Sequence, residues 1–132
     1  MNTSPAPVST KALWTGYIMS ALPVLLFLTG VVMTLLKPPS VVQGFTQFGF
    51  PESLLPKLGI LELVCTVLYV IPRTSMLGAI LLPGYLGGAT VTHLRVGQAF
   101  VMPVLVGVLV WGGLFLRDRR VRDLIPLRRQ HN

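Results

Sequence analysis

The side chains able to do chemistry fall in two short segments. "KLGILELVCTVLY" at 57–69 supplies Lys57, Glu62 and Tyr69, and "GYLGGATVTHLRVGQ" at 84–98 supplies Tyr85, Thr90, Thr92, His93 and Arg95. Glu62 has Gly59, Cys65, Thr66 and Tyr69 at distances of three, four and seven residues, so one helical face is small or polar while the remainder is aliphatic. A carboxyl in that setting can hold or pass a proton, and a histidine or tyrosine beside it can assist. An arginine and a histidine near the end of the same surface can meet the polar end of a small amphiphile. Whether these residues meet depends on the medium around them.

Composition decides the medium. Hydrophobic residues make up 52% of the 132-residue chain and charged residues 11%, against about a quarter charged in a soluble domain. Long stretches without charge need lipid or protein interior on every side. The reading is an all-α membrane protein, a bundle of four transmembrane helices at about 12–36, 51–71, 75–94 and 99–116. Residues 1–10 are expected to form a disordered tail, 11–116 the membrane domain and 117–132 a basic cytoplasmic tail. The first apolar run, Leu13 to Leu36, is longer than a signal-peptide core and reads as a retained anchor. "FPES" at 50–53 opens the second helix, which is expected to bend at Pro56. Pro83 and Pro103 are tolerable within membrane helices. The 37–50 segment is read as the one sizeable loop, with "GFTQFGF" lying at the outer interface.

Charge sets the orientation. Lys11, Arg73 and the arginines after residue 116 fall on one side, against Lys37, Lys57 and Arg95 on the other, so the positive-inside rule places both termini in the cytoplasm. The run "RDRRVRDLIPLRRQ" contributes to a net charge of +7. It directly follows a span and contains Asp118 and Asp123 as helical partners, which favours a topology anchor touching anionic lipid over a nucleic-acid site. Gly84, Gly88 and Thr92 form a small-residue stripe suited to close helix packing, and Gly16 with Ser20, Gly107, Gly112 and Gly113 are read alike. Cys65 is the lone cysteine, which excludes an intramolecular disulfide, and two histidines make a metal or haem site within one chain improbable.

Depth makes Glu62 the anomaly. It lies about 13 Å from the inner helix end, near the middle of a core about 30 Å thick, where a charge costs at least about 2.5 kcal/mol on insertion scales. Folding the second and third helices about Arg73 sets Glu62 level with Gly84 and Tyr85, Lys57 level with Ala89 and Thr90, and His93 near Ser53. The reading is a polar column from the outer surface to Glu62, with the threonines, His93 and Arg95 at its mouth. Each member also has a structural role open to it: Arg95 as a headgroup anchor, Lys57 snorkelling outward, and Glu62 paired with Tyr85 or Lys57.

The four-span layout, "KLGILEL" and above all "GYLGGATVTHLRVGQ" resemble the DoxX-like family of small bacterial membrane proteins, over about Trp14 to Leu116. By that resemblance Lys57, Gly59 and Glu62 match the family's second-helix pattern, and Gly87, His93, Arg95 and Gly97 the end of its third helix. The family name derives from a subunit of a quinone-linked thiosulfate oxidoreductase, and other members are associated with oxidative stress, so the resemblance implies a redox setting. Two functions compete. In the first, the bundle binds a small amphiphile, a quinone or lipid-like molecule, through Lys57, Glu62, Tyr69, Tyr85, Thr90, His93 and Arg95, alone or as accessory to a redox partner protein or within a homo-oligomer. In the second, Glu62 is the general acid or base of a membrane enzyme, an isomerase, cyclase or quinone-linked oxidoreductase, assisted by His93 or Tyr85. No metal ligand set is present, and quinone is the one cofactor the reading admits. Proton transport is disfavoured by four spans without an inverted repeat.

Overall fold

The computed structural model describes residues 7–125, and in them every regular element is helical. α1 (Thr10–Leu36) is followed by α2 (Pro39–Gln47), a 3-10 turn (Glu52–Leu54), α3 (Leu55–Val70), α4 (Ser75–Arg95), α5 (Val101–Arg117) and α6 (Arg119–Leu124). α1, the segment Glu52–Val70 and α4 are long and apolar enough to cross a membrane; α5, with 17 residues, is a shorter apolar helix. The expected 1–10 tail lies mostly outside the described residues. Of its described part, Ser9 caps α1 by accepting a hydrogen bond from Ala12 N at 3.2 Å, satisfying one of the helix's free amides.

Local chemistry sets the boundaries. α1 ends because Pro38 lacks an amide and disfavours a right-handed helical Lys37. Lys37 accordingly takes the left-handed region at φ 51°, with its amide on Met33 O at 3.0 Å. Pro39 then occupies the first turn of α2, where a missing amide costs nothing. Most of the 37–50 segment, Pro39–Gln47, is therefore helical where a loop was expected. Its Val41, Val42, Phe45 and Phe48 fall at helical spacing, but nine residues broken by Gly44 give too short a pattern to outweigh the turn signals around it. Pro56 likewise stands in the first turn of α3 and not at a bend within it.

α1, α3, α4 and α5 close a ring in which α1 packs on α3 and α5, and α4 packs on the same two. The core runs down its axis through Phe27, Cys65, Leu82, Leu86, Val106 and Val110, with Val121 of α6 sealing one end. α3 buries the face its spacing sets inward: Gly59, Glu62, Cys65, Thr66 and Tyr69. Large apolar side chains such as Leu22, Leu25, Ile60, Val64, Ile80 and Val108 project outward. That inversion suits a lipid surrounding, and the chain is a membrane protein.

Small residues carry the close approaches, but not those the stripe on α4 suggests. Gly16 of α1 and Gly113 of α5 bring the two backbones together, with a side chain at Gly16 meeting Gly113 O at 2.9 Å. Gly78 lies directly on the Tyr69 backbone of α3. Gly84, Gly87 and Gly88, by contrast, have open space where a side chain would stand. The stripe is not a packing face, because Gly84 and Gly88 border a cavity and Gly87 an outer groove. Gly78→Ala is expected to lower stability by about 1–3 kcal/mol through overpacking while Gly87→Ala leaves it unchanged, as read by thermal unfolding in detergent; equal effects would show that α3 and α4 are not locked at Gly78.

Candidate functional site

Glu62 is 7% exposed and lies where α1, α3 and α4 converge. α1 makes room for it with Gly30, where an added side-chain carbon would come within 3.0 Å of Glu62 Oε1. α4 supplies its hydrogen bond: Tyr85 Oη donates to Glu62 Oε2 at 3.4 Å. The hairpin register read from the sequence places these two residues level, and so they stand. Lys57 is exposed on the outer side of α3 and makes no ion pair with Glu62. The ion pair at this end joins Lys37 to Glu52 at 3.9 Å, from the end of α1 to the 3-10 turn.

Above Tyr85 opens a cavity of about 370 Å³. Leu58 and Leu61 of α3 form one wall, and Gly84, Tyr85, Gly88, Thr92 and His93 of α4 form the other. Its roof is aromatic. Phe45 of α2, Phe48 at its C-terminal cap and Phe50 beyond line the space, with Phe45 and Phe50 6.2 Å apart and Phe48 4.8 Å from the His93 ring. Glu62 is not itself in the lining; Tyr85 stands between it and the cavity.

The polar residues of α4 are largely satisfied by their own helix. Thr90 donates to Leu86 O and Thr92 to Gly88 O, each at 2.8 Å. His93 Nδ1 lies 2.7 Å from Ala89 O. A carbonyl can only accept, so Nδ1 carries the proton and Nε2 is the ring atom left for another partner. Thr90 points to the α4–α5 groove beside Pro103 and Trp111, and not to the cavity. Arg95 also departs from the expected mouth: its Nη2 donates to Phe48 O, the carbonyl that ends α2, a favourable place for a cation. It ties the aromatic roof to α4.

Tyr69 belongs elsewhere altogether. Its hydroxyl lies 2.8 Å from Val110 O and 2.9 Å from Ser20 Oγ, and Arg117 Nε donates to that serine at 3.0 Å. It faces the other end of the bundle because it lies two helical turns along α3 from Glu62, so a shared face does not mean a shared site. Among the described residues, the tail arginines depart from the expected pairing with Asp118 and Asp123 as well. Arg122 bonds Phe115 O and Leu116 O, and Asp118 caps α6 by accepting from Arg120 N. The rest of the expected tail, 126–132, lies outside the described residues.

The sequence model of the DoxX-like family matches residues 18–113, from within α1 to near the end of α5. The chain belongs to the DoxX-like family. No curated protein and no solved structure matches it. The match takes in both halves of the site, and the geometry gives physical reasons for several positions that the DoxX-like resemblance picks out. Gly59 lets Leu35 of α1 approach. Gly97 has φ +72°, which turns the chain after α4 and returns the Gln98 amide to His93 O at 2.9 Å. Gly30 was not singled out in the sequence, and the three phenylalanines were read only as part of an interfacial loop. An isolated glycine in an apolar helix carries no local signal of the carboxylate it accommodates.

Removing the Tyr85 hydroxyl leaves a buried carboxyl without its partner. Tyr85→Phe should cost about 1–3 kcal/mol in the wild-type background and much less in Glu62→Gln/Tyr85→Phe relative to Glu62→Gln. A thermal-unfolding double-mutant cycle with no coupling would show that the pair does not interact.

Proposed function

We propose that this DoxX-like protein is a four-span protein of the bacterial inner membrane whose roofed cavity holds a small amphiphile, a quinone or lipid-like molecule. The observation that carries this reading is the cavity itself. Its size falls within the range of about 300–1,000 Å³ usual for ligand sites, and apolar walls with a few polar groups are the usual lining. Tyr85 Oη at the inner end and His93 Nε2 nearer the mouth are eight residues apart on α4, about 12 Å along the helix. An apolar body between Leu58, Leu61 and the glycine face of α4 would leave its polar groups to these two. An accessory role in a redox system agrees with the DoxX-like resemblance.

The contact between Tyr85 and Glu62 favours one second reading. Tyr85 faces both the cavity and the carboxyl, so a proton could pass from a bound substrate through Tyr85 to Glu62, as acid–base catalysis on an apolar substrate requires. Glu62→Gln separates the two readings, since catalysis predicts lost turnover with binding retained.

Native mass spectrometry with extraction of bound small molecules tests the pocket. Gly88→Leu would fill the cavity from a position with open space around it, whereas Gly87→Leu points to the outer groove. The expected result is a small molecule on the wild type and on Gly87→Leu but not on Gly88→Leu. An empty wild type, or equal loading of all three, would overturn the reading.

The finer topology follows from the ends of the bundle. Lys11, Arg73, Arg117, Arg119, Arg120 and Arg122 gather at one end, Lys37, Lys57 and Arg95 at the other. α5 spans about 26 Å, close to the hydrocarbon thickness, and ends on Arg117. We infer that both termini face the cytoplasm. In a Cys65→Ser background, an impermeant thiol reagent added to intact cells should label Gln43→Cys and spare Arg120→Cys. The reverse pattern would invert the orientation.

A further inference from the structure

A second cavity, of about 310 Å³, lies at the basic end of the bundle, between α1, α3 and α5. Tyr17, Ser20, Tyr69 and Arg117 line its polar part, and Ala21 and Val24 continue the lining one and two turns further along α1. Arg117 is placed by several neighbours. Its Nε donates to Ser20 Oγ at 3.0 Å, its Cζ stands 5.2 Å from the centre of the Tyr69 ring, and its backbone sits against Gly16. The hydrogen bonds run in one direction: Arg117 donates to Ser20, Ser20 to Tyr69, and Tyr69 to Val110 O.

This arrangement fixes the guanidinium but leaves its outer edge unused. Among the described residues neither Nη1 nor Nη2 of Arg117 has a hydrogen-bond partner, and no carboxylate lies within ion-pair distance. Arg122, by contrast, places both Nε and Nη2 on carbonyls at the end of α5. A fork of N–H groups held by its neck matches the oxygens of a phosphate, to which arginine binds in two-point fashion. Tyr17, 55% exposed, adds a hydroxyl at the same rim, and Trp14 one turn away is 66% exposed. Exposed aromatics beside the end of an apolar helix mark headgroup depth.

We propose that this cavity binds the headgroup of an anionic phospholipid, with its phosphate on the Nη atoms of Arg117 and the Tyr17 hydroxyl and an acyl chain laid along Ala21 and Val24. A free phosphate ion offers the same oxygens, but it would have no use for the apolar continuation of the lining. Lys11, Arg119 and Arg120 at the same end add an attraction for a net negative headgroup. The site is separate from the cavity beneath the phenylalanine roof, and its occupancy does not depend on what that cavity holds.

The test is native mass spectrometry of the full chain in detergent, titrated in turn with phosphatidylglycerol, phosphatidylcholine and inorganic phosphate. Wild type is expected to retain phosphatidylglycerol preferentially, and Arg117→Gln to lower its retention by about tenfold, the scale of one charge-assisted two-point contact. Arg122→Gln should retain it. Ala21→Phe obstructs the acyl path without altering charge and should also weaken retention, which keeps the test decisive if Arg117→Gln unfolds. Equal retention of the two lipids by wild type, or retention of phosphatidylglycerol unchanged in both Arg117→Gln and Ala21→Phe, would overturn the proposal. Displacement by millimolar inorganic phosphate with no preference between lipids would assign the site to free phosphate and overturn it equally.

Discussion

A carboxyl placed at mid-depth on an apolar helix is the constraint around which this bundle is arranged. Glu62 cannot face lipid without a large penalty, so α3 must turn that face inward and two neighbours must accommodate it. α1 does so by giving up a side chain at Gly30, and α4 by presenting Tyr85. The same orientation buries Gly59, Cys65, Thr66 and Tyr69. Once α3 is fixed in this way, its N-terminal half forms a wall of the roofed cavity and its C-terminal half delivers Tyr69 to the basic end.

The two ends of the bundle are built on different principles. At the α2 end, polar side chains on α4 turn back to their own carbonyls, so the space beside them is mostly apolar and shaped by glycine and phenylalanine. At the other, Ser20, Tyr69 and Arg117 bond across three helices and tie them together. The first arrangement leaves room, and the second leaves rigidity with one charged edge turned outward. A DoxX-like chain of this length thus separates an open apolar chamber from a cross-linked basic rim.

The sequence made the membrane helices, the inward face of α3 and the hairpin register readable, because each rests on a periodic pattern or a count along a regular helix. It was less informative where a pattern is short or a side chain has several partners within reach. α2 has only nine residues and is punctuated by prolines and Gly44, so its helical spacing competes with strong turn signals. Thr90, Arg95 and Lys57 lie at the expected depth, but depth does not give azimuth: a rotation of 100° per residue sends Thr90 to the α5 side while Thr92 faces the cavity. The open glycines of α4 show the same limit. A small-residue stripe states that space exists beside a helix, and only the neighbours determine whether another helix occupies it.

The contact of Gly78 with Tyr69 and that of Tyr85 with Glu62 stand in a simple relation. Seven residues forward along α4 correspond to seven residues back along α3. Seven residues is two helical turns, the repeat at which antiparallel helices bring the same seam together again. One contact is a steric notch and the other a polar latch, and they therefore read the same vernier. A slip of α4 by a single residue would misalign both at once, and a slip by a whole turn would drive side chains into the Tyr69 backbone while stranding the carboxyl against leucine or alanine. A buried acid that weakens the helix as a hydrophobic object thereby gives the hairpin a single setting.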